Sequence, residues 1–123
     1  MKISEEERGP HTILHVAGTL ALGDSTRALQ EYFEKIASEK TGAVLLDLSD
    51  LEHLDSTAVG VLVGGLKRFE AQGRRFYLVN PRERVASVFR ITNLDSVFRV
   101  FPTVEAAMTS VNLASEEEET SEH

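Results

Sequence analysis

Apolar and polar residues change their spacing along the chain in a way that marks strands and helices in turn. Gly9-Pro10 divides residues 2–8 from 11–17, and Thr12-Ile13-Leu14-His15-Val16-Ala17 is apolar and partly β-branched. Together these stretches predict a β-hairpin whose second strand ends at Gly18. From Asp24-Ser25-Thr26 the period becomes helical, with Ala28, Leu29, Tyr32, Phe33, Ile36 and Ala37 on one stripe and Gln30, Glu31, Glu34, Lys35 and Glu39 mostly opposite. Asp24 or Ser25 is the expected N-cap of that helix.

Thr41-Gly42 stops the helix. Ala43-Val44-Leu45-Leu46-Asp47-Leu48 follows as a near-continuous apolar run, the pattern of a strand buried on both faces of a parallel sheet. Past a loop at 49–55, residues 56–71 place Val59, Leu62, Val63, Leu66 and Phe69 at helical spacing, with Gly73 as the stop. Residues 75–80 read as a strand broken by Pro81, and Val85, Val88 and Phe89 mark a short helix before Asn93. Residues 97–101 predict a last short strand. Pro102-Thr103-Val104-Glu105 opens a final helix capped by Thr103, with Val104, Ala107, Met108 and Val111 on its apolar side.

Strands alternating with helices in this order predict an α/β fold: one domain with a mostly parallel central sheet, an N-terminal β-hairpin and about four helices. The 123 residues suit one domain with one core. The domain is expected over residues 1–113. Residues 114–123 carry five glutamates and no large apolar side chain, and are expected to form an acidic, solvated, disordered tail.

Charge narrows the partners once that segment is set apart. Its five glutamates supply most of the formal −7, leaving −2 for residues 1–113. A nearly neutral body lacks the cationic excess that a nucleic-acid backbone binder needs. Lys67, Arg68, Arg74, Arg75, Arg82, Arg84, Arg90 and Arg99 still make the second half locally cationic, as solvated outer faces or as a charge-steered protein interface. Apolar stretches are too short for a membrane span. The acidic start lacks the apolar core of a secretion signal, and the chain has no cysteine, so a cytoplasmic location is expected.

Candidate chemistry concentrates in Leu54-Asp55-Ser56-Thr57-Ala58-Val59-Gly60, which joins the buried strand to the second helix. Asp55 or Ser56 would cap the first turn, leaving Ser56 or Thr57 at the surface with the helix's partial positive charge behind it. A phosphate added there would be stabilised and would change the local surface enough to block a docked partner. An ordinary N-cap accounts for the same residues. Gly60, Gly64 and Gly65 each cost about 1 kcal/mol relative to alanine inside a helix, so each needs a reason: packing on the sheet or close approach of a partner.

Other chemistries fit less well. A nucleophile elbow has glycine two residues either side of its serine, where this chain has Leu54 and Ala58. His11, His15, His53 and His123 are scattered, so no metal site is expected. There is no phosphate-binding loop followed by Lys-Ser or Lys-Thr and no Gly-x-Gly-x-x-Gly, so no cofactor is expected.

The run from Leu46-Asp47-Leu48 through Leu54-Asp55-Ser56-Thr57-Ala58-Val59-Gly60-Val61-Leu62 resembles the signature of STAS domains, whose prototype is the sporulation anti-sigma factor antagonist. The likeness reaches from about Thr12 to Met108 and includes Val88-Phe89-Arg90-Ile91-Thr92-Asn93-Leu94. It implies a binding module and not an enzyme. In such antagonists the serine after the motif aspartate, here Ser56 with Thr57 as fallback, is phosphorylated by a serine kinase that is also the anti-sigma factor.

The resemblance implies partner switching: the unmodified antagonist binds the kinase, phosphorylation releases it, and a Ser/Thr phosphatase resets it. Asp24, Asp55, Ser56, Thr57, Val59 and Gly60 are the expected partner-binding residues. A homodimer is a further option. The alternative is a non-signalling STAS accessory subunit docking on the ATPase of a lipid-transport ABC importer. Family members often carry an acidic residue soon after the glycine at the end of the second strand. Here the run is Gly18-Thr19-Leu20-Ala21-Leu22-Gly23-Asp24, which bears on the partner's identity.

Overall fold

A computed structural model describes the backbone of residues 1–121 and the side chains of residues 1–113. The described chain runs β1 (Lys2–Arg8), β2 (His11–Leu20), α1 (Asp24–Glu39), β3 (Val44–Leu54), α2 (Ser56–Ala71), β4 (Phe76–Val79), α3 (Glu83–Ile91), β5 (Arg99–Phe101) and α4 (Val104–Ser121). The acidic segment read above as a tail falls at residues 114–123, whose side chains lie outside the described residues.

The five strands form one sheet in the order β1-β2-β3-β4-β5. β1 pairs antiparallel with β2, and every other pairing is parallel, as the α/β reading requires. Alternation along β3 splits the core. Val44, Leu46 and Leu48 face Leu29, Phe33 and Ile36 of α1, Leu62 and Phe69 of α2, and Val85 and Phe89 of α3. Leu45 faces the opposite side with Ile13, Tyr77 and Val79, where Ala107 and Val111 of α4 cover them.

Several boundaries differ from the expected ones, and β4 is one residue shorter at each end than residues 75–80. β2 continues past Gly18 to Leu20, because the register shifts at His15/Ala17 and Gly18/Thr19 and Gly18 takes a φ of 92° that glycine tolerates. β3 correspondingly runs to Leu54, so all of the expected loop at 49–55 but Asp55 is strand: Ala17, Gly18, Thr19 and Leu20 pair with Asp50, Leu51, His53 and Leu54. The last strand is shorter than residues 97–101, since the chain turns until Phe98, whose ring is buried among the core aromatics.

α1 is capped by Gly23, not by Asp24 or Ser25. The Ser25 hydroxyl is engaged elsewhere, accepting from the Ala21 amide at 2.9 Å and donating to the Ala21 carbonyl at 2.8 Å. Thr103 caps α4 as expected, accepting from the Ala106 amide at 3.0 Å. Among the described residues no helix is long and apolar enough to cross a membrane.

Candidate functional site

The parallel register of β2 and β3 builds the site. Leu20 pairs with Leu54, and the Asp55 amide donates to the Leu20 carbonyl at 3.2 Å. Two residues beyond these paired ends lie Leu22 on one connection and Ser56 on the other. Both therefore emerge at the same carboxyl edge of the sheet, where neighbouring strands are about 4.8 Å apart.

Asp55 ties the two connections together. Its Oδ1 accepts from the Ala58 amide at 2.9 Å, which makes it the N-cap of α2, and its Oδ2 accepts from the Leu22 amide at 2.9 Å. Those amides, Leu22 first and Ala58 next, hold its carboxyl below the ordinary value. The sequence left Asp55 and Ser56 open as alternatives for this cap. With Asp55 as cap, Ser56 is the first helical residue and its side chain is exposed.

Thr57 is also exposed. The Asp55 carboxylate at the cap already offsets part of the partial positive charge at the start of α2, and no further acidic residue stands within the first turn. A phosphate added on Ser56 would be solvated and would meet the remaining first-turn amides together with the neighbouring Asp55 carboxylate.

The expected partner-binding residues do not all face outward. Val59 is 3% exposed and packs into the core, so it positions α2 and presents nothing to a partner. Gly60 is exposed. Asp24 opens α1 with its side chain in solvent, 3.5 Å from the Arg27 guanidinium.

The glycines of α2 separate into two kinds. A Cβ on Gly65 would sit 2.7 Å from the Phe33 ring, which is itself packed edge-on to Phe69 and Phe76, so internal packing explains this glycine. A Cβ on Gly60 or Gly64 would meet nothing within 4 Å. Packing on the sheet does not explain those two. Both border an open groove of about 610 Å3 between α1 and α2, together with Thr57, Arg27, Glu31 and Arg68.

His53 does not serve Ser56 as a base: its Nε2 accepts from an Arg84 guanidinium nitrogen at 2.9 Å. Among the described residues no group of three or more His, Cys, Asp or Glu side chains is arranged to hold a metal ion. The cationic half is partly committed within the fold. Arg74 donates to the carbonyls of Gly42 and Ile36 and stacks over Phe69, Arg82 donates to the Ser49 carbonyl, and Arg90 pairs with Glu83.

Sequence reasoning missed two features. Leu22, 77% exposed, stands beside the candidate acceptor, and an apolar residue just before a glycine in a strand-to-helix connection was the available signal. His15 is clamped between carboxylates on both neighbouring strands, Nδ1 at 2.7 Å from Asp47 and Nε2 at 2.9 Å from Glu6. No local pattern announces that cluster.

The family model for the STAS domain matches residues 2–107. A Thermotoga neapolitana protein provisionally named an anti-sigma factor antagonist is 39% identical over 79 residues, which cover 64% of this chain and 70% of that protein. The crystal structure of a Thermotoga maritima protein, named in the same provisional way, is 29% identical with a TM-score of 0.83, covering 89% of this chain and 94% of the other. The anti-sigma factor antagonist SpoIIAA, solved unphosphorylated and, as a Bacillus cell fate determinant, phosphorylated, shares the fold. The TM-scores are 0.74 and 0.72 at 23% and 20% identity, over 90% and 89% of this chain and 96% and 99% of SpoIIAA.

Proposed function

The chain belongs to the STAS domain family and is of the anti-sigma factor antagonist type, and from that premise we propose that it works by partner switching through Ser56. Unphosphorylated, it binds a serine kinase that is also an anti-sigma factor, and so frees the sigma factor. Phosphorylated on Ser56, it is released until a Ser/Thr phosphatase removes the group. Residues 1–113 form the domain that does this, and 114–123 form an acidic tail.

The observation that carries this reading is the exposed Ser56 at the first position of α2, with its own cap supplied by Asp55. Because the Asp55 carboxylate caps the helix, the exposed Ser56 hydroxyl is not needed as the cap and can accept a phosphoryl group. Phosphorylation adds about 1.5 to 2 negative charges at neutral pH. At a helix N-terminus that charge is tolerated by the fold, so modification alters the surface without unfolding the domain.

The neighbouring surface supports a docking role. Gly60 and Gly64 keep the outer face of α2 bare at a cost in helix stability that no internal contact requires. A bare helix lets a partner's backbone approach closely beside the acceptor.

The test is incubation with ATP and each anti-sigma-factor-type serine kinase of the source genome, followed by peptide mass spectrometry. One phosphate on Ser56, with residual labelling on Thr57 at most, is expected. A protein that remains unmodified and unbound by every such kinase contradicts the reading, and retention on an ABC-transporter ATPase instead would transfer support to an accessory-subunit role.

A further inference from the structure

Resting on the partner-switching reading above, we propose that Leu22 is the apolar anchor through which the kinase grips the unmodified protein, inserting into an apolar pocket beside the kinase's catalytic cleft. A single exposed leucine is ordinarily unremarkable on a protein surface. This one is held rigidly at the acceptor. Its amide is fixed by Asp55 Oδ2, the residue before it is pinned through both backbone groups by Ser25, and the residue after it, Gly23, has a φ of 120° that turns the chain directly into α1.

Those bonds fix the backbone so that the side chain projects, 77% exposed, from the edge that also carries Ser56. A side chain whose backbone is ordered in advance loses little further freedom on binding, which is the property of an interface anchor. The chemistry of the contact also suits a switch. Apolar burial supplies affinity that is independent of charge, while the phosphate on Ser56, carried by the neighbouring connection at the same sheet edge, supplies the repulsion that ends the complex. The run Gly18-Thr19-Leu20-Ala21-Leu22-Gly23 carries no charged side chain, so this chain would choose a kinase with an apolar pocket over one with a basic one.

The experiment measures phosphorylation kinetics and binding of wild type, Leu22→Ala, Leu22→Lys and Leu22→Met with the kinase that modifies the wild type. Leu22→Ala and Leu22→Lys should raise KM and Kd about tenfold or more, leaving kcat at saturating protein within about twofold and the thermal midpoint unchanged. Leu22→Met should restore most of the affinity. If the wild type is bound and phosphorylated but all three variants match it within about twofold, the anchor is refuted and partner switching stands. If no kinase modifies or binds the wild type, partner switching fails, and the anchor with it.

Discussion

The Asp55 carboxylate accepts the Leu22 amide at 2.9 Å across two chain connections and the Ala58 amide at 2.9 Å within its own helix turn, so one side chain sets both halves of the candidate interface. Asp55→Ala removes both bonds at once. The expected result is a lower thermal midpoint together with faster hydrogen exchange at the Leu22 and Ala58 amides. Asp55→Asn, which keeps an acceptor oxygen, should protect one of these amides better than alanine does. Unchanged exchange at Leu22 in Asp55→Ala would remove the coupling between the connections.

The two kinds of glycine in α2 predict substitutions of opposite sign. Gly60→Ala and Gly64→Ala enter open space in a helix and should each stabilise the protein by roughly 0.5–1 kcal/mol, measured by denaturant unfolding. They should at the same time weaken kinase binding. Gly65→Ala pushes into a Phe33 ring hemmed in by Phe69 and Phe76, and should destabilise by about 1–3 kcal/mol. Stabilisation by Gly65→Ala would mean that the aromatic cluster yields.

The His15 cluster predicts a stability optimum in mild acid. Partial burial opposes the charged imidazole, but the bonds to Glu6 and Asp47 outweigh it and raise its pKa above the ordinary 6.5. His15 and Arg8 hold Glu6 below 4.5. For Asp47, burial opposes ionisation, and the bonds from Ser49 and then His15 override it, leaving the carboxyl below 3.8. The histidine contribution is complete below pH 6.5 and is lost as pH rises through its raised value. The carboxylate contributions are complete above 4.5 and are lost as pH falls through their lowered values. Between pH 4.5 and 6.5 all three act together. His15→Gln should therefore lower the thermal midpoint most in that window and converge toward wild type at higher pH; a constant offset from pH 5 to 9 would contradict this account.

What the sequence made legible follows the range of the interactions. α2 was readable from Ser56 to Ala71 because its apolar period is local, and α1 for the same reason. The extension of β2 and β3 was not, because Thr19 and Leu20 become strand only by pairing with His53 and Leu54, beyond the whole of α1 in the chain. Ser56 stood out because a capping aspartate and a hydroxyl are adjacent in the chain. Leu22 did not, since its role depends on an aspartate 33 residues away. Val59 was expected at the interface by proximity to Ser56, yet it lies on the buried stripe of α2 with Leu62, Leu66 and Phe69, rotated about 60° round the helix from Ser56. The His15 cluster joins side chains 9 and 32 residues apart, beyond any local pattern.

The most direct test of the central claim compares one kinase's affinity for three forms of the protein: unmodified, Ser56→Ala, and stoichiometrically phosphorylated. Tight binding of the first two and a loss of at least about tenfold for the third is the expected result. Equal affinity for all three would contradict the claim that a phosphate on Ser56 decides which partner is bound.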